Sequence, residues 1–105
     1  MGVENENQID GARLHLEENQ VELHLMHSLQ WNDQTLILLQ NKINTYLKFI
    51  ESEEIYEGRD SWRGFDTVVI LNTLYKINID GHDFINASKK VFKQVGATLV
   101  LKEHT

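Results

Sequence analysis

Leu14-His15-Leu16-Glu17-Glu18-Asn19-Gln20-Val21-Glu22-Leu23-His24-Leu25 holds two alternating runs around a polar centre. In Leu14-His15-Leu16 and in Val21-Glu22-Leu23-His24-Leu25 every second residue is apolar, the period of a strand with one buried face. Glu17-Glu18-Asn19-Gln20 is polar, and Asn19 tolerates positive φ, so the runs are predicted to fold back as a tight hairpin. Pairing Leu16 with Val21 and Leu14 with Leu23 gathers the apolar residues on one side and Arg13, His15, Glu22 and His24 on the other. A one-residue slip would set leucines opposite charges. In this pairing His15 faces Glu22, and His24 is its diagonal neighbour.

Downstream, Trp31-Asn32-Asp33 breaks the alternation and offers Asn32 or Asp33 as a helix N-cap. Leu36, Leu39, Ile43, Tyr46, Leu47 and Ile50 then recur at three- and four-residue steps, predicting an amphipathic helix that ends near Ser52. Residues 53–66 show no period and contain Tyr56, Trp62 and Phe65. Thr67 to Ile79 reads as a strand, with Val69, Leu71, Tyr75, Ile77 and Ile79 on one side and Val68, Ile70 and Leu74 on the other. Apolar residues on both sides of its first half mark a central strand. Asp80 is expected to cap a second helix with the stripe Phe84, Ala87, Val91 and Val95, stopped by Gly96 in the left-handed conformation. Ala97 to Lys102 completes the set as a last strand.

The order β-β-α-β-α-β is read as an α+β fold: a two-layer sandwich whose four-stranded mixed sheet carries two helices on one face. Residues 1–105 form a single domain, with residues 1–8 expected to be flexible. The helix-free face would present Arg13, His15, Glu22, His24, Met26, Val68, Ile70, Asn72, Thr98 and Val100, less polar in its later strands than a wet surface requires. A patch of that kind marks an interface.

The chain has 105 residues, 41% hydrophobic and 25% charged, with no cysteine and a net charge of −6. The absent thiols exclude disulfides, thiolate metal sites and cysteine nucleophiles. The acidic balance argues against nucleic-acid binding, which needs clustered Lys and Arg. Charge is uneven: residues 1–60 carry net −8 and residues 61–105 net +2. The start lacks the basic and apolar regions of a signal peptide, and no fully apolar run exceeds four residues, so a cytoplasmic location away from membranes is expected.

Asn7-Gln8-Ile9-Asp10-Gly11, the hairpin, Trp31-Asn32-Asp33 and the run from Leu39 to Ser52 together resemble a family of small bacterial proteins known only as a domain of unknown function. Lys42-Ile43-Asn44-Thr45-Tyr46 is the most distinctive part of that resemblance, which covers most of the chain. It implies a stand-alone cytoplasmic protein and brings no catalytic residue with it.

Three constellations carry chemistry. His15, Glu22 and His24 supply two imidazoles and a carboxylate, a set that suits Zn²⁺ with one open position; alternating polar residues on any hairpin make similar sets, so a solvated or interface face is the competing reading. His82 beside Asp83 has the makings of a general base, with Ser88 the only local hydroxyl, against simple decoration of a helix start. Trp62 and Arg63, with Arg59, Tyr56 and Phe65 nearby, have the composition of a binding hot spot, against local stacking and packing. No nucleophile elbow, phosphate-binding glycine loop, zinc-protease motif or dinucleotide fingerprint is present. The expectation is an interaction module without a cofactor, a homodimer through Met26, Val68, Ile70 and Val100 with Trp62 and Arg63 as further contacts. A protein partner, such as a basic one that it inhibits, fits the acidic surface. The alternative is a small metal- or ligand-binding protein or enzyme using His15, Glu22 and His24.

Overall fold

A computed structural model describes residues 8–104. The expected flexibility of residues 1–8 concerns a segment that, apart from Gln8, lies outside the described residues. The elements are β1 (Gly11–His15), β2 (Gln20–His27), α1 (Asp33–Glu51), β3 (Asp66–Thr73), α2 (Ile79–Gln94) and β4 (Ala97–Glu103). The sheet order is β1-β2-β3-β4, with β1 antiparallel to β2 and the other pairs parallel. Val21, Leu23 and Leu25, Val69 and Leu71, and Ala97 and Leu99 project from one face into a single core with Leu39, Ile43 and Tyr46 of α1 and Ile85 and Phe92 of α2. Both helices therefore lie on that face, as expected for the two-layer mixed sheet.

The hairpin register differs from the expected one by two residues. Leu14 pairs with Val21 and Ala12 with Leu23, so His15 faces Gln20 and Arg13 faces Glu22. The chain reverses through a 3-10 turn over Leu16–Glu18, closed by Asn19 N–H donating to Leu16 O at 3.1 Å with Asn19 at φ 58°. Leu16 is thereby taken into the turn and is 70% exposed. A two-residue shift keeps every side chain on its face, so the alternation permits both registers and the turn chooses between them.

α1 begins as the sequence indicates. Asn32 Oδ1 accepts from Thr35 N–H at 3.0 Å while Thr35 Oγ1 accepts from Asn32 N–H at 3.0 Å, a reciprocal cap that satisfies two N–H groups at the helix start. Its buried side is Leu39, Lys42, Ile43, Tyr46 and Ile50. The aperiodic connection folds into two 3-10 turns, Glu54–Tyr56 and Asp60–Gly64, with Ile55 fully buried beneath them.

β3 ends at Thr73, and the apparent alternation through Ile79 is not strand. Trp31 wedges against this exit, its Nε1–H donating to Thr73 Oγ1 at 2.9 Å and Tyr75 O at 3.3 Å. Asn78, rather than Asp80, caps α2: its Oδ1 accepts from Gly81 N–H at 2.7 Å and its Nδ2 donates to Trp31 O at 3.1 Å. The buried stripe of α2 is Gly81, Ile85, Ser88 and Phe92 rather than the expected one, and Ile79 and Val91 are 79% and 41% exposed. A Cβ on Gly81 would lie 2.6 Å from Ile77 Cγ1 and 2.7 Å from Trp31 Cε3, so only glycine lets the helix seat this closely. Gly96, at φ 80°, ends the helix in the left-handed conformation.

Candidate functional site

The helix-free face has a polar part centred on β1 and β2 and an apolar part over the first half of β3 and β4. Its polar half is centred on Glu22, whose Oε1 lies 3.4 Å from Arg13 Nε and 3.4 Å from His24 Nε2, and whose Oε2 lies 3.8 Å from His15 Nδ1. Asn72, on β3 beside Met26, is buried and extends the polar row. Its Nδ2 donates to His24 Nδ1 at 3.3 Å and to Ile70 O at 3.2 Å, and its Oδ1 accepts from His104 Nε2 at 3.0 Å. An amide nitrogen only donates, so His24 Nδ1 accepts and the ring proton sits on Nε2, facing Glu22. His104, Asn72, His24 and Glu22 thus form one directed row of hydrogen bonds across the sheet.

The apolar half lies over β3 and β4. Ile70 pairs with Val100 and Val68 with Thr98, while on β2 His24 stands opposite Ile70 and Met26 opposite Asn72. Val68 is buried by its neighbours, Met26 and Ile70 are half-buried, and Val100 is 42% exposed. Val68, Ile70, Thr98 and Val100 line a shallow depression of about 360 Å³, closed at one end by Gln20, Asp66 and Gly96. The charged groups of this half stand at its ends, Asp66 at the start of β3 and Lys102 near the end of β4.

Beneath the polar half runs a buried network that sequence reasoning did not anticipate. Lys42 Nζ donates to Asp10 Oδ1 at 2.8 Å, and both side chains are withdrawn from solvent. Asp10 Oδ2 accepts from Met26 N–H at 2.9 Å, serving β2 just beyond the reach of β1, whose pairing stops at Gly11 opposite His24. Tyr46 OH accepts from Asp10 N–H at 2.9 Å and donates to His24 O. Burial pushes the Tyr46 hydroxyl well above the usual phenol range, and the Asp10 carboxylate adds to this against the opposing backbone hydrogen bond. The signal was legible in the helix spacing: Lys42 keeps phase with Leu39, Ile43 and Tyr46.

The remaining candidates disperse. His15, Glu22 and His24 are brought into contact, but Glu22 turns one oxygen to each imidazole and shares Oε1 with Arg13. Among the described residues no group of three or more His, Cys, Asp or Glu side chains is disposed to hold a metal ion. His82 is exposed, while Ser88 is buried and its Oγ donates to Phe84 O at 2.9 Å, so the two do not form a catalytic pair. Trp62 is half-buried against the core under Arg59, whose guanidinium carbon lies 5.2 Å from the ring centre. Arg63 lies 4.7 Å over Tyr56 and pairs with Glu53 at 2.8 Å and Asp60 at 3.5 Å. These contacts hold the connection together. No helix among the described residues is long and apolar enough to cross a membrane.

No curated protein and no solved structure matches this chain. A family model does, and its match runs over residues 1–105. That full-length match, on the residues that build the hairpin, the first helix and the network joining them, makes the chain a member of DUF6572, a family of unknown function.

Proposed function

We propose that this chain is a protein-binding module that works through the helix-free face of its sheet, with a second copy of itself as the occupant. The observation that carries the reading is the division of that face. Val68, Ile70 and Val100 form an apolar patch on β3 and β4, with Met26 diagonal to Ile70, bordered by a polar half in which Glu22 is already matched by Arg13. Two such faces can stack as aligned sheets without burying an unmatched carboxylate at their centre. Four strands spaced about 4.8 Å and rising about 3.3 Å per residue project roughly 450 Å². A standard interface takes about 800 Å² from each partner, so the association belongs in the micromolar range rather than among obligate dimers.

Sedimentation equilibrium from about 1 to 100 µM tests this, a range that brackets such an affinity. The wild-type chain should pass from monomer to dimer, and Ile70→Lys should remain monomeric with an unchanged far-ultraviolet circular dichroism spectrum. A wild-type chain that stays monomeric throughout defeats the proposal.

A basic protein is a second occupant class, favoured by one feature. The hairpin turn with Glu17 and Glu18 is tied to the start of β3 by Asp66 N–H donating to Asn19 O at 3.2 Å, beside the connection bearing exposed Glu54, Glu57 and Asp60. Capture through that end would weaken steeply with salt.

A further inference from the structure

β4 is an outer strand of the sheet, and among the described residues only β3 pairs with it. His104 N–H donates to Thr73 O at 2.9 Å, which fixes the direction of the backbone groups along the strand. Even-numbered residues bond to β3, so the N–H and C=O groups of Ala97, Leu99, Leu101 and Glu103 point outward. The strand is seven residues long with no proline or bulge to blunt it.

Two of the six cations of residues 61–105, Lys89 and Lys93, lie on the side of α2 above this edge. The side of α2 nearest α1 is given by Phe84, Ala87 and Val91, which share a groove with Ile43 and Leu47. At 3.6 residues per turn Asn86, Lys89 and Lys93 fall on the opposite flank, and because α2 packs on β4 that flank overhangs the free edge. Lys89 and Lys93 are both exposed, and Lys102 is exposed on the other face of the same strand. Of the nearby acids, Glu103 stands at the end of β4 and Asp80 lies in the first turn of α2.

We propose that the outer edge of β4 binds an extended acidic peptide segment of another protein by strand addition. The outward N–H and C=O groups of Leu99 and Leu101 supply the main-chain ladder. Lys89 and Lys93 select carboxylates at alternate positions on the helix side, and Val100 meets an apolar residue between them. A second copy fits the edge less well. Antiparallel pairing about Val100 would set Leu99 opposite Leu101 of the other copy, but would also bring the lysine-bearing flanks of both α2 helices together.

The probe is a blocked synthetic heptapeptide, Thr-Glu-Val-Glu-Val-Glu-Thr, titrated into the full chain with amide hydrogen exchange read by nuclear magnetic resonance. Expected are slowed exchange at Leu99 and Leu101, no binding of the analogue with Lys at each Glu position, and about tenfold weaker binding to Lys89→Glu/Lys93→Glu. Lys89→Gln/Lys93→Gln should fall between, and unchanged spectra elsewhere verify folding. Equal binding of the acidic and basic peptides overturns the proposal, as does protection elsewhere than β4 or full affinity in the charge-reversed variant. Protection of Leu99 and Leu101 that rises with protein concentration alone also overturns it, by assigning the edge to a second copy. Ile70→Lys, which addresses the sheet face, should leave peptide binding unchanged, so the two proposals fail separately.

Discussion

Replacing Asp10 by Asn removes a charge that pairs with Lys42 inside the protein while keeping a carbonyl oxygen for Met26 N–H. The Lys42 ammonium lies 2.8 Å from Asp10 Oδ1, and the side chains are 0% and 1% exposed respectively. Neutralising one member of a buried pair costs about 3–5 kcal/mol, because the other charge loses its main compensation where water cannot replace it. In a domain of about 100 residues each kcal/mol shifts the melting temperature by roughly 4–8 °C, so Asp10→Asn should melt at least about 12 °C below wild type. Lys42→Met, which keeps the stem volume and removes the charge, should cost a similar amount. The double variant buries a neutral pair and should recover at least about 2 kcal/mol relative to the sum of the single changes. Urea unfolding at neutral pH, followed by circular dichroism, measures all three. Amide exchange at Met26 should quicken in Asp10→Asn beyond its global destabilisation, because that N–H exchanges a carboxylate acceptor for a weaker amide one. Single variants each costing less than about 1 kcal/mol, the range of an exposed ion pair, would refute the reasoning, as would simple additivity.

Gly81→Ala should lose about 2–3 kcal/mol in urea unfolding, since the added Cβ meets Ile77 and Trp31 below 3 Å; a neutral or stabilising change would contradict the packing at the start of α2. Tyr46→Phe should cost about 1–3 kcal/mol at pH 7 by leaving buried partners without the hydroxyl. Burial raises the Tyr46 hydroxyl in the folded chain, so its protonated form is favoured there. That contribution is complete below the ordinary phenol value near 10 and is lost as pH rises beyond it, so the gap between wild type and Tyr46→Phe should narrow above about pH 10. A gap that stays constant from pH 8 to 11 would show that Tyr46 does not contribute through its proton.

Element types were legible wherever a strong period met clear end signals. The alternation from Val21 to Leu25 leaves no face but one for the core, and Asn32 with the steps from Leu36 to Ile50 defines α1 at both ends. Reading failed where two solutions share a pattern. Tyr75, Ile77 and Ile79 alternate as a strand would, but Thr73 and Asn78 are both engaged by Trp31, a residue more than 40 positions earlier, and the chain turns there. Phe84, Ala87, Val91 and Val95 make as good a helical stripe as Gly81, Ile85, Ser88 and Phe92; the second is buried because a glycine can approach Trp31 and Ile77 and a phenylalanine cannot. The candidate site divides in the same way. The apolar patch of Val68, Ile70 and Val100, with Met26 diagonal to Ile70, followed from strand parity, whereas the join of Asn72 to His24 and His104 needed the strand order.

By itself the sequence determined the α+β class, the order of elements, the faces of the strands and the absence of thiol chemistry, because these depend on local periodicity and composition. Tertiary structure decided the hairpin register, the start and buried side of α2, the burial of Lys42 against Asp10, and the placing of Lys89 and Lys93 over the edge of β4. Each of these is a choice between locally equivalent arrangements, and only contacts between residues distant in the chain distinguish their energies.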